Sequence, residues 1–244
     1  MSSNARERAF CTLIVPFILS LTALAQQWNF PDNIHKYIED PGMFALNQEP
    51  GHVPLVPFAS IDQALENDWN QSRGYLSLNG TWKFKWSEIP ELAPKDFFNE
   101  KFKDLSWDNI KVPGNWEMQG FGDPMFRNVS QPFPSHPPFI PHDYNPTGCY
   151  RRTFTIPDTW KDKQVFLRLE AVTSASFVWI NGKELGFNEG ANEPAEYNIT
   201  RFLKKGTNTL AVLVTKYSSG TYLEDQDFWR LSGIFRDVYL IAVP

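Results

Sequence analysis

The sequence predicts an all-β fold, a jelly-roll β-sandwich behind an irregular, proline-rich N-terminal arm. Three observations carry this prediction. Aromatic residues make up 15% of the chain and Pro, at 19, outnumbers Gly, at 14, a composition that favours short β-strands joined by stiff loops over a helical bundle. From Tyr75 onward, about eight to ten short segments alternate apolar and polar positions between turn residues, with hardly any amphipathic helix among them. One interruption, Glu117 to Pro146, holds seven prolines and has the length of a crossing loop. With a chain too long for an immunoglobulin-like sandwich, it favours the jelly roll.

The first 25 residues read as a secretory signal. Arg6 and Arg8 precede the apolar run AFCTLIVPFILSLTALA, which stops at Gln26-Gln27 just after the small-residue site Ala23-Leu24-Ala25. The run is near the lower limit for a membrane helix and is interrupted by Pro16, so no membrane span is expected once the signal is cleaved. The expected location is outside the cytoplasm, periplasmic or extracellular. Cleavage removes Cys11 and leaves Cys149 as the remaining thiol, so no intrachain disulfide is expected. Cys149 itself reads as a small buried hydrophobe in a strand.

Residues 26–73 form the arm. Prolines recur every few residues, the short helix candidate IDQALENDW follows, and Phe44, Leu46, Val53, Leu55, Val56 and Phe58 are apolar groups able to seat it on a surface. The sandwich is expected over 74–244. In LSLNGTWKFKW, Leu76, Leu78, Trp82, Phe84 and Trp86 occupy alternate positions around Asn79-Gly80, which predicts two strands joined tightly. NIKVPGNW supplies a further strand, and CYRRTFTIP and QVFLRLEAV two more. SFVWINGKELGF carries a second hairpin signal at Asn181-Gly182. EYNITRFLKKGTNTLAVLVTKYS reads as a strand, one helical turn and a strand, and GIFRDVYLIAVP closes the sheet.

Charge and motifs exclude several functions. Lys plus Arg total 23 against 28 Asp plus Glu, a net charge of -5 without a long basic cluster, which argues against nucleic acid as a partner. His35, His52, His136 and His142 are scattered without ligand spacing and there is no Cys-x-x-Cys pair, so no zinc site is expected. Gly-rich phosphate loops and serine-nucleophile motifs are missing.

One stretch stands out. TYLEDQDFWRLSG sets Glu224, Asp225 and Asp227 against Phe228, Trp229 and Arg230, a mixture of carboxylates and aromatic rings suited to a polyhydroxylated ligand. Asp225 and Asp227 do not make a convincing catalytic pair. On an extended chain their side chains project in parallel, about 6.6 Å apart, whereas a general acid and base flank the bond from opposite sides. A hard cation on Asp227 is compatible with the pattern, but one carboxylate does not define a cage. The loop FRNVSQPFPSHPPFIPHDYNPTGCY presents the amide of Asn128 within a stiff proline frame.

These same stretches carry a family resemblance. VPGNWEMQGFGDPMFRNVSQPFPSHPPFIP, NPTGCYRRTFTIP, SASFVWINGKELG and TYLEDQDFWRLSGIFRDVYL resemble the N-terminal region of bacterial β-galactosidases of glycoside hydrolase family 2, and the likeness runs from about residue 37 to 244. The resemblance implies a jelly-roll, galactose-binding-domain-like unit followed by an immunoglobulin-like domain and a catalytic (β/α)₈ barrel. It implies that Asn128 and Asp227 contact the galactosyl unit of a β-galactoside and that Asp227 ligates sodium. It also implies a divalent cation, magnesium or calcium, in the full-length enzyme. The family's two catalytic glutamates lie on barrel strands and are not matched here, so this chain is expected to be inactive alone. The competing expectation is a free-standing secreted carbohydrate-binding module.

Overall fold

A computed structural model describes residues 33–126, 132–224, 227 and 229–244. The signal reading for residues 1–25 and the amide of Asn128 therefore lie outside the described residues. Among the described residues, two short α-helices and fifteen strands follow one another in chain order. The arm contributes α1 (His35–Ile38), β1 (Ala45–Leu46) and α2 (Ile61–Glu66). Then come β2 (Tyr75–Ser77), β3 (Gly80–Ser87), β4 (Asp108–Val112), β5 (Met125–Phe126), β6 (Thr147–Thr155), β7 (Gln164–Leu169) and β8 (Val172–Thr173). The last are β9 (Ala175–Ile180), β10 (Lys183–Glu189), β11 (Ala195–Asn198), β12 (Thr207–Thr215), β13 (Trp229–Arg230), β14 (Gly233–Ile234) and β15 (Val238–Val243).

The strands build an antiparallel sandwich. One sheet has the order β1-β10-β9-β12-β6-β3-β4 and the other β11-β7-β15-β2, with the small ladders β5–β13 and β8–β14 beside them. From β6 through β7, β9, β10, β11 and β12 to β15 the chain changes sheet at every step except the β9–β10 hairpin, which is the path of a jelly roll. That hairpin closes at Asn181-Gly182, both at positive φ (52° and 76°), with Ile180 opposite Lys183, as expected for an Asn-Gly two-residue turn.

The other Asn-Gly pair does something different. β2 joins the smaller sheet against β15, whereas β3 joins the larger between β4 and β6, so the tight hairpin expected at Asn79-Gly80 is a crossing between sheets. The cause is the polar side chain of Asn79. Its Oδ1 accepts from the Val238 amide at 2.9 Å and its Nδ2 donates to Asp237 at 2.8 Å, fastening the crossing to the last strand.

Two apolar layers lie on either face of the larger sheet. Between the sheets pack Trp82, Phe84, Tyr150, Leu167, Leu169, Val178, Val212 and Leu240. On the far face a second cluster joins Phe177, Trp179, Phe187 and Leu213 to Ile34 and Ile38 of the arm and to Phe97 and Trp107. Each fully buried large side chain stabilises the fold by about 1.5–3 kcal/mol. With both faces covered, β9 and β12 read as unbroken apolar runs and not as alternating ones. Cys149 lies in β6 within the far layer, completely buried, and burial pushes its thiol pKa up, so it is the inert hydrophobe expected.

The arm is seated differently from its sequence pattern. Of the apolar groups expected to seat it, Leu46 does so in β1, which extends the larger sheet by pairing Ala45 with Asn188 and Leu46 with Phe187, whereas Phe44, Val53 and Leu55 are exposed and Ile34 and Ile38 beneath the sheet are further anchors. The helix expected in IDQALENDW forms as α2, capped by Ser60 and ended by Asn67 in the left-handed region.

Candidate functional site

The acidic stretch begins just past the end of β12, and its foundation is a buried ion pair. Lys216 Nζ lies 2.5 Å from Glu117 Oε1, with side chains only 5% and 1% exposed. Nζ also donates to the Arg230 carbonyl at 3.2 Å, and Glu117 Oε2 accepts from the Ser232 amide at 2.8 Å. One carboxylate thereby joins the turn after β4, the end of β12 and the residues around β13. Such a pair tolerates burial because its remaining hydrogen-bonding capacity is met.

The next residues are fixed equally closely. Tyr217 exchanges its backbone N–H and C=O with the amide of the buried Asn145 at 2.9 and 3.1 Å. Ser218 and Thr221 cap the single turn Ser219–Tyr222 reciprocally. Glu189, at the end of β10, accepts from Ser219 Oγ at 2.6 Å and from the Gly220 amide. Burial raises the pKa of Glu189, and these donors oppose the rise.

From this turn the three carboxylates part. Glu224 faces inward, where Oε1 accepts from the Ala191 amide at 2.6 Å, and burial raises its pKa. Asp225 is outside the described residues, and Asp227 is exposed. Trp229 follows in β13, opposite Phe126 of β5, and the two rings meet at 5.4 Å while remaining 51% and 55% exposed. Phe126 is also the described residue closest in sequence before Asn128.

Glu224 and Trp229 help to line a cavity of about 400 Å³, together with Asn115, Ser174, Lys216 and Tyr217. Beside it the proline-rich loop roofs a second cavity of about 520 Å³, with Phe133, Phe139 and Tyr144 in its wall and Tyr217 shared between the two. The arrangement offers polar and ionic groups at the base and half-exposed aromatic rings at the rim, which is the chemistry of a site for a sugar's hydroxyls and apolar faces. It holds no pair of opposed carboxylates among the described residues.

Sequence reasoning singled out the exposed residues of this stretch and missed the buried pair beneath it. Glu117 and Lys216 are 99 positions apart in the chain, and the visible signal was only a lysine closing the apolar run of β12. As a cation site, Asp227 fits as one oxygen ligand, while Glu224, the carboxylate before it, is spent on Ala191. Among the described residues the stretch thus offers at most part of the oxygen shell that sodium would need. A histidine pair that looked scattered in the sequence meets elsewhere in the fold: His35, Glu39 and His142 each bring a ligand atom within 4.8 Å of the others.

A family model described as glycosyl hydrolases family 2, sugar binding domain, matches residues 75–244. The β-galactosidase of Priestia megaterium is 45% identical over 209 residues, covering 84% of this chain and 20% of that enzyme. The β-galactosidase of Pseudoalteromonas haloplanktis is 44% identical over 209 residues, with the same coverage. Among solved structures, a β-glucuronidase of Bacteroides uniformis superposes with a TM-score of 0.53 at 32% identity, over 70% of this chain and 18% of that one. The chain spans about a fifth of the length of the curated relatives it matches.

Proposed function

Because this chain belongs to glycoside hydrolase family 2 and carries that family's sugar-binding domain, we propose that it forms one wall of the substrate site in an enzyme that hydrolyses terminal β-D-galactosides. The single observation that supports this most is the exposed Asp227, which lies in sequence between the inward Glu224 and the half-exposed Trp229, in a stretch whose flanks are fixed by a buried ion pair and caps. An exposed anion on a rigid base accepts hydrogen bonds from sugar hydroxyls, each worth about 1.5–3 kcal/mol for a charged acceptor. We assign a second sugar contact to the amide of Asn128, a reading supported by the pairing of Phe126, two residues before it, with Trp229, two residues after Asp227.

The bond-breaking carboxylates belong to a barrel outside this sandwich, and the retaining double displacement of the family runs there. Asp227 would supply one oxygen to a sodium ion, whose positive charge would offer a contact for a sugar hydroxyl. The rest of that shell would come from residues outside this chain, as would the ligands of the magnesium or calcium expected in the complete enzyme. Galactosides are favoured over glucuronides by the higher identity to β-galactosidases and by Asp227 itself, whose charge would repel a glucuronide's carboxylate. The first 25 residues direct export, so the galactosides are met outside the cytoplasm. No helix among the described residues is long and apolar enough to cross a membrane.

Two proteins test the proposal. The purified 244-residue chain is expected not to release nitrophenol from nitrophenyl β-galactoside. A chimera in which residues 75–244 replace the matching domain of the Priestia megaterium enzyme is expected to release it, and to ignore the glucuronide. Turnover by the chain alone that Asp227→Ala abolishes would refute the division of labour.

A further inference from the structure

We propose that His35, Glu39 and His142 form a binding site for a zinc-class divalent cation, with Glu91 orienting His35, and that the ion fastens the N-terminal arm to the proline-rich loop.

His35 and Glu39 sit one helical turn apart around α1, and His142 arrives from the loop more than a hundred positions later. His142 Nε2 lies 2.7 Å from Glu39 Oε1, and its ring stacks on that of His35 with centroids 3.7 Å apart and planes 26° from parallel. On its outer side, His35 Nε2 lies 2.9 Å from Glu91 Oε1. A carboxylate only accepts, so Nε2 carries the proton in that bond and the lone pair is directed to Nδ1.

Nδ1 is the informative atom. It is buried with no hydrogen-bond partner among the described residues, and it faces Glu39 Oε1 at 3.8 Å. Two lone-pair-bearing atoms opposed in this way repel one another unless a cation stands between them. A carboxylate behind a histidine whose other nitrogen is directed at a ligand cluster is the arrangement that orients metal-bound histidines.

The dimensions suit such an ion. Nitrogen and oxygen ligands at about 2.0–2.2 Å from zinc stand roughly 3.3 Å from one another in a tetrahedron, so His35 Nδ1 and Glu39 Oε1, 3.8 Å apart, need to close slightly, His142 Nε2 and Glu39 Oε1, 2.7 Å apart, need to open, and the three atoms, all within 4.8 Å of one another, are brought to one spacing by movement of the His142 ring. The ion takes the place of the proton His142 now shares with Glu39. His142 is 59% exposed and free to adjust, whereas Glu39 is 9% exposed and steadied by the Ile140 amide at 3.1 Å. Two imidazoles and one carboxylate select zinc and its neighbours over magnesium or calcium, which prefer oxygen alone. The cluster opens to a cavity of about 400 Å³ whose wall includes Lys36 and Asp40, opposite charges that offset each other, and this leaves room for a water as fourth ligand.

The loop carrying His142 is tied at its other side to the acidic stretch. Tyr222 Oη donates to the Phe139 carbonyl at 2.5 Å and accepts from the His136 amide at 3.1 Å. An ion at His142 therefore steadies the segment that leads to Asp227.

The test is calorimetric titration of the untagged 244-residue chain with zinc chloride at pH 7.5, with magnesium chloride as control, alongside thermal melts. The expected result is one zinc per chain with micromolar affinity, no magnesium binding, and a higher melting temperature in zinc. His142→Ala, which alters an exposed side chain and spares the core, is expected to weaken zinc at least tenfold and to remove the melting shift. Glu91→Gln is expected to weaken it about tenfold. No zinc binding up to millimolar concentration would overturn the site and leave a proton as the cation between His35 and Glu39. Equal affinity in the wild type and in His142→Ala would overturn it as well.

Discussion

Replacing Lys216 with methionine removes the cation from the base of the site while keeping its apolar stem. It strands Glu117, 1% exposed, which keeps one partner, the Ser232 amide. Removing one member of a buried pair costs about 3–5 kcal/mol because the other charge is left uncompensated. For a domain of this size that lowers the melting temperature by roughly 6–20 °C. In urea, with a slope of about 2 kcal/mol per molar, the midpoint falls by roughly 1.5–2.5 M and the slope stays unchanged. Adding Glu117→Gln neutralises the stranded charge and retains an acceptor for Ser232, so the double variant is expected to regain more than half the loss. A single-variant loss below about 1 kcal/mol, or a double variant that is simply the sum of the two single ones, would refute the claim that this pair anchors the acidic stretch.

Two further outcomes concern the arm and the pH profile. A methyl group at Gly186 would be driven into the Leu46 carbonyl and the Tyr197 ring, so Gly186→Ala is expected to cost about 1–3 kcal/mol and to release β1. Limited proteolysis should then cleave the arm faster than in the wild type, and unchanged cleavage would contradict the seating described. Burial raises the Glu184 pKa from the ordinary carboxylate value to about 8. The folded state thus holds a proton that the unfolded state has released between about pH 4.5 and 8, and stability from this group is present below that window and lost as pH rises through it. Glu184→Gln is expected to stabilise the chain at pH 9 by about 1–2 kcal/mol after allowance for partial solvent exposure, with a smaller effect at pH 5. Denaturation midpoints at the two pH values check this, and an equal difference at both would count against it.

Much of the sandwich was legible because strands advertise themselves locally. Asn181-Gly182 between two apolar segments needs no distant information to become a hairpin, and the alternation in β3 shows which of its residues reach the core. Asn79-Gly80 carried the same local signal and failed. Its outcome was decided by Asp237 and Val238, more than 150 positions away. The second apolar layer was hidden for a similar reason: β9 and β12 looked like buried strands, but nothing local announced that Ile34, Ile38 and Phe97 would cover their far face.

The site divides along the same line. Asp227 and Trp229 were visible as an unusual mixture within a few residues, whereas Glu117, Lys216, Asn145 and Glu189 reach the site from separate strands and turns. The split between Glu224 and Asp227, one spent on Ala191 and the other at the surface, depends on which way the chain leaves the Ser219–Tyr222 turn. Ser218 and Thr221 set that direction through a cap whose residues are common in any sequence. His35 and His142 show the limit most clearly, since spacing along the chain said nothing of their stacking.

The central claim is that the Asp227 carboxylate meets a sugar held against another domain. The most direct measurement is kcat/KM for nitrophenyl β-galactoside in the chimera described above, with and without Asp227→Ala. Loss of one charged acceptor predicts a fall of roughly 10- to 200-fold, read in a chimera whose melting temperature is measured alongside. An unaltered kcat/KM in a folded chimera would contradict the account.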